Sequence, residues 1–141
     1  MSPLPHHQPK QLSLGSLEAE IVGILWTLGP ATAQDIHRHI LSDPARELTY
    51  ASVMTVLGRL EKKEWLACDR RGRAFVWTPR LSRHDVHLLR THEHLKKFLT
   101  VGSPDVVAAF ADSLDTASIE QLEAIAQRLK AVREDREEPC T

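Results

Sequence analysis

Ser52, Thr55 and Arg59 recur at the i, i+3, i+7 spacing that places three side chains on one face of a helix. Two short hydroxyls and one planar cation differ from the Glu/Lys mixture of an ordinary solvated face. Such a set suits DNA, because an arginine fork grips guanine or a phosphate and short hydroxyls let a helix lie close in the groove. Arg70, Arg71 and Arg73 surround Gly72 between two short apolar runs. At the tip of a hairpin these arginines would meet phosphates, although a solvated turn explains such a cluster equally well. Histidines raise the possibility of metal chemistry. His84 and His87 are one helical turn apart, His92 and His94 follow, and His37 and His39 lie further upstream. No cysteine or acidic partner stands at a familiar zinc spacing, so neither a metal nor a cofactor is expected.

The helix that must carry Ser52, Thr55 and Arg59 runs from Thr49 to Lys63, with Thr49 as its N-cap. Val53, Val56, Leu57 and Leu60 form its inward stripe. Upstream, Leu17, Ile21, Ile24, Leu25 and Leu28 predict a helix over 16–28 that ends at Gly29-Pro30. Thr32 and Asp35 have the spacing of a capping box, opening a second helix to about Leu41 with Ile36 and Ile40 inward. Downstream, 65–70 and 74–79 read as strands joined by a tight turn at Gly72. Trp26 and Trp77 fall on apolar stripes and read as core. Three helices and a two-stranded ribbon follow the order of a winged helix-turn-helix, whose third helix enters the major groove.

From Ser82 the pattern becomes helical again. Ser82 and Asp85 suggest another capping box, and Ser103 followed by Pro104 suggests a helix start. A last helix is expected from about Ser118, capped by Gln121, and charged residues after Arg133 are expected to fray. The narrow apolar stripes of these helices include Phe110, Leu114, Ile119, Leu122, Ile125 and Leu129. They are too thin to bury themselves in a small monomeric unit, so a second copy of the chain is the expected cover, in a two-fold homodimer.

Composition bounds the alternatives. In 141 residues, 42% are hydrophobic and 26% charged, with a net charge of -1, which fits a soluble globular chain. Residues 46–80 carry 8 Lys/Arg against 4 Asp/Glu, whereas residues 103–141 carry 4 against 9. The first segment can therefore meet phosphates although the whole chain is not basic. No apolar run reaches the roughly 18 residues of a membrane span, and the first twelve residues lack a signal's apolar centre. A cytoplasmic location without membrane insertion is expected. Cys68 and Cys140 are too few for a disulfide framework. No Gly-rich phosphate loop, nucleophile motif or paired metal-binding carboxylates point to an enzyme.

The segments Leu14-Gly-Ser-Leu-Glu-Ala-Glu, Ile24-Leu-Trp, Ser52-Val-Met-Thr-Val-Leu-Gly-Arg-Leu and Gly72-Arg-Ala-Phe-Val-Trp-Thr-Pro resemble the penicillinase repressor (BlaI/MecI/CopY) family, over about residues 12–133. The resemblance implies a dimeric repressor on a double-stranded DNA operator with dyad symmetry, held together by intertwined C-terminal helices. In that family a small hydroxyl residue, a threonine and an arginine face the DNA, and the matching positions are Ser52, Thr55 and Arg59. Arg73 matches a wing position that lies along the phosphates, with Arg71 beside it. In the lactam-responsive branch a membrane metalloprotease cuts the repressor, usually at an Asn-Phe bond. The aligned bond here is Ala109–Phe110, which keeps the phenylalanine but not the asparagine. The copper-responsive branch carries paired Cys-x-Cys motifs near its C-terminus, where this chain has only Cys140. Copper sensing by that chemistry is not expected, since soft Cu(I) needs several thiolates.

The resulting expectation is a mainly α chain: a disordered tail over 1–12, a winged helix-turn-helix DNA-binding domain over 13–80, a helical dimerisation domain over 81–133 and a frayed tail over 134–141. The expected function is operator binding by a dimer, released by cleavage in the dimerisation domain. The alternative is a metal- or ligand-responsive DNA-binding sensor acting through the His-rich fourth helix. A third hypothesis, an enzyme acting on nucleic acid, would show itself by turnover of DNA.

Overall fold

A computed structural model describes residues 4–100 and 103–137. These divide into two compact units, one ending at Leu95 and the other beginning at Lys96. In the first, α1 (Ser16–Leu28), β1 (Ala31–Thr32), α2 (Ala33–Leu41), α3 (Tyr50–Lys62), β2 (Leu66–Asp69) and β3 (Val76–Pro79) form a winged helix-turn-helix.

Local chemistry sets each boundary. Glu18 accepts from the Gly15 N–H at 3.0 Å at the start of α1. Gly29 closes that helix at φ 80°, a left-handed backbone in which a side chain would be strained. Thr32 and Asp35 form the expected reciprocal cap of α2, at 3.2 and 3.1 Å. The Thr49 hydroxyl accepts from the Ser52 N–H at 3.1 Å and caps α3. Thr49→Ala removes this cap, leaving the Ser52 N–H only its bond to the Thr49 carbonyl at 3.1 Å, and lowers unfolding free energy by about 1 kcal/mol, measurable as a shift of the denaturant midpoint.

The sheet order is β1-β3-β2, all antiparallel. The strand β1, in which Ala31 pairs with Trp77, has no counterpart in the sequence reading. The hairpin also differs from the tight turn expected at Gly72. The last ladder pair is Asp69 with Val76, which leaves the six residues 70–75 to cross between the strands.

The inward stripes meet in one core. Ile21, Leu25, Ile36, Val53, Leu57, Leu60, Trp65 and Leu66 are almost wholly buried, and Trp77 is buried with them. Trp26 is half-buried against this core and donates to the Leu81 carbonyl at 2.8 Å. Residues 4–12, expected as a disordered tail, carry no helix or strand, yet they are tied to the end of α3. Lys10 N–H donates to the Lys63 carbonyl at 3.0 Å. The Trp65 indole donates to the Gln11 carbonyl at 2.8 Å.

Helix α4 (Arg83–Leu99) starts at the Ser82–Asp85 box, with bonds of 3.1 and 3.0 Å, and buries Val86 and Leu89 in the winged-helix core. The second unit holds the end of α4, α5 (Pro104–Ser113) and α6 (Thr116–Glu137). Ser103 stands at the N-cap of α5 without a side-chain cap bond. The start of α6 differs from expectation. Asp115, not Ser118, is its cap, accepting from the Ser118 N–H at 2.8 Å, and the helix continues through 134–137 rather than fraying after Arg133. Cys140 and residues 138–141 lie outside the described residues.

Candidate nucleic-acid interface

Helix α3 separates two chemistries. Val53, Val56, Leu57 and Leu60 are buried, whereas Thr55 and Arg59 are exposed and Ser52 half-exposed. The Ser52 hydroxyl shares a hydrogen bond of 2.8 Å with that of Thr49. Thr55 donates back to the Ala51 carbonyl at 2.9 Å, which fixes its rotamer and leaves its oxygen able to accept from a ligand. Among the described residues Arg59 is in no hydrogen bond or ion pair, although its charge acts on Glu18 of α1, and its fork is exposed. Lys62 extends the row at i+3 from Arg59 and is also exposed. Sequence reasoning passed over Lys62, although helical spacing from Thr55 and Arg59 was enough to find it.

Several contacts hold α3 in place. Arg46 in the loop before it makes a bidentate pair with Glu20 of α1, at 2.7 and 3.0 Å. His37 Nε2 hydrogen-bonds the Leu48 carbonyl at 2.7 Å, and its ring stands edge-on to Tyr50 at 5.9 Å. At the other end Lys63 pairs with Glu18 at 2.8 Å. Burial raises the Glu18 pKa, but the Lys63 bond, the Gly15 N–H and the charges of Lys63 and Arg59 together outweigh it and hold the carboxylate below its ordinary range.

The wing arginines divide by partner. Arg70 pairs with Glu61 at 2.7 Å and lies over the Phe75 ring at 5.3 Å. Arg71 forks onto Asp69, with both contacts at 3.0 Å, so its charge is shared with a neighbour and not fully available. Among the described residues Arg73, unlike the other two, makes no ion pair or hydrogen bond. It lines a cleft of ≈ 350 Å³ together with Gln34, Tyr50, Met54 and Phe75. The structure therefore brings Arg73 to the N-termini of α2 and α3, while it turns Arg71 towards Asp69.

The side-chain bond from Arg71, and then its backbone N–H, lower the Asp69 pKa from its ordinary 3.8 to about 2. Because the folded value is depressed, the pair's contribution is present above pH 3.8 and is lost as pH falls through about 2. An NMR titration of the Asp69 carboxyl should give a midpoint near 2, returning towards 3.8 in Arg71→Ala.

In the second unit Phe110, Ile119, Leu122, Ile125 and Leu129 are all exposed in the single chain, and Leu114 is half-exposed. Phe110 packs on Phe98 with centroids 5.6 Å apart. Ala109 is exposed beside it in α5. Of the histidines, His84, His87, His92 and His94 are exposed along α4. Among the described residues no group of three or more His, Cys, Asp or Glu is placed to hold a metal ion, and no helix is long and apolar enough to cross a membrane.

Comparisons with known proteins bear on this arrangement. An uncharacterised 16.5 kDa protein of Latilactobacillus sakei is 34% identical over 61 residues, 43% of this chain and 40% of that one, so the match spans well under half the relative's length. The solution structure of the DNA-binding domain of the repressor BlaI superposes with a TM-score of 0.47 at 26% identity, covering 55% of this chain and 93% of that one. A variant of Lactococcus lactis ZitR gives a TM-score of 0.43 at 20% identity, covering 95% of this chain and 83% of that one. The penicillinase repressor family model matches residues 14–131, and that span includes α3, the wing and most of α6. The chain belongs to the penicillinase repressor family and stands among DNA-binding transcriptional regulators, not enzymes.

Proposed function

We propose that the chain is a dimeric transcriptional repressor of the cytoplasm. Each α3 of the dimer reads one half of a dyad-symmetric operator through Ser52, Thr55 and Arg59, with Arg73, and Arg71 beside it, on the backbone. The observation that carries this reading is the unpaired Arg59 in one outward row with Ser52 and Thr55, on a helix whose opposite face is buried. A rigidly seated helix with an exposed arginine fork outside any hydrogen bond is what major-groove readout requires. The exposed apolar residues of α5 and α6 supply the self-complementary face that a two-fold dimer buries.

Selection from a random duplex pool tests the reading. Enrichment of a sequence with two inverted half-sites supports it, and no enrichment, or a single asymmetric site, contradicts it.

Release is proposed to follow cleavage at Ala109–Phe110 by a membrane metalloprotease. A cut there divides α5 within its apolar face and removes α6 from the rest of the chain. Mass spectrometry of the protein from induced cells should show a fragment ending at Ala109. An intact chain under full induction would exclude this route.

A further inference from the structure

The cleft between the N-termini of α2 and α3 and the start of β3 is unusual for an exposed surface. Tyr50 and Phe75, which both line it, are 48% and 41% exposed. Two large aromatic rings thus stand open beside Met54, Arg73 and Gln34. Trp77 lines the same cleft at 2% exposure, and its Nε1–H is buried without a hydrogen-bond partner. An unpartnered buried donor is disfavoured until an acceptor reaches it.

Groove geometry identifies the occupant. If α3 lies in the major groove and the wing in the adjacent minor groove, the sugar-phosphate strand that separates those grooves has to pass between them. The cleft lies between them. Its charge is complementary, since Arg73 lines it and none of its lining residues is acidic.

We propose that this cleft seats one nucleotide of the operator backbone. Arg73 and the Gln34 amide hold its phosphate, and the Phe75 and Tyr50 rings pack on the apolar face of its deoxyribose. On binding, the Trp77 Nε1–H, the cleft's unpartnered donor, turns to a phosphate oxygen of that nucleotide. This rests on the reading of α3 and the wing as groove-binding elements, and it adds Phe75, Tyr50, Gln34 and Trp77 to the DNA-binding residues.

The test uses the full chain and the duplex that the wild type selects, with affinity measured by fluorescence anisotropy over a salt series. Arg73→Gln should reduce the slope of log affinity on log salt by about 0.9, the loss of one phosphate contact. Phe75→Ala should weaken binding by about 2- to 10-fold, the range for an aromatic contact, with the slope unchanged. Methylphosphonate substitution along the duplex should find one position per half-site whose neutralisation weakens the wild type but costs Arg73→Gln nothing more. Replacing Trp77 by benzothienylalanine keeps the bicyclic ring and removes the N–H donor, so affinity should fall while thermal stability does not. A melting temperature that falls with the affinity would make Trp77 structural only and remove it from the contact. Wild-type affinity and slope in both Arg73→Gln and Phe75→Ala would overturn the proposal and leave the cleft to a ligand other than DNA. If the wild type selects no duplex at all, the broader repressor reading fails, and this inference fails with it.

Discussion

Leu122→Asp should separate the two copies of the chain and lower operator affinity by about 10²- to 10⁴-fold, the advantage that linking two binding modules confers. Leu122 is 45% exposed in the single chain, on the same helix as Ile119, Ile125 and Leu129 at 41%, 54% and 56%. A charge at that position disturbs little within one protomer, because the residue is not part of a buried cluster. In an isologous dimer, however, the substitution enters the interface twice and leaves two carboxylates to be desolvated without partners. Helicity by circular dichroism should stay unchanged while sedimentation shows a monomer. A variant that remains dimeric, or a monomer that binds the operator as tightly as the wild type, would show that α6 is not the dimer face.

Arg59→Ala should weaken binding to the selected duplex by about 1–3 kcal/mol, or roughly 5- to 150-fold, the range for a good bidentate base contact. The side chain is exposed and makes no hydrogen bond or ion pair, so its removal should leave folding stability close to the wild type. The partition of the loss is informative. If Arg59 grips guanine, affinity for the operator falls far more than affinity for a scrambled duplex; if it touches only phosphate, both fall together. Lys62→Ala, one turn further along the row, should mainly reduce the salt dependence. Undiminished operator affinity in Arg59→Ala would remove α3 from the contact.

Much of the DNA-binding unit was legible in the sequence because its signals are local. The stripe of Val53, Val56, Leu57 and Leu60 and the caps at Thr32, Thr49 and Ser82 each depend on residues within one or two turns. What escaped depends on long-range pairing. Strand β1 is two residues long, shorter than any period, and exists only because β3 lies beside Ala31 and Thr32. The contacts of residues 7–11 follow from the acceptor that the Trp65 indole requires and the donors that the carbonyls of Lys63 and Glu64 require, all far away along the chain. Arg71 turned to Asp69 because the ladder ends at the Asp69–Val76 pair, a register that the Gly72 turn signal did not specify. At α6 two acceptable caps lie three residues apart, and the carboxylate of Asp115 prevailed over the hydroxyl of Ser118.

The central claim is that the outward row of α3 reads base pairs at two symmetric places. The most direct measurement repeats duplex selection with Arg59→Lys and with Thr55→Asn beside the wild type. Each variant is expected to change the preferred base at one pair of positions related by the dyad, with the rest of the consensus retained. A consensus identical to that of the wild type in both variants would contradict the claim.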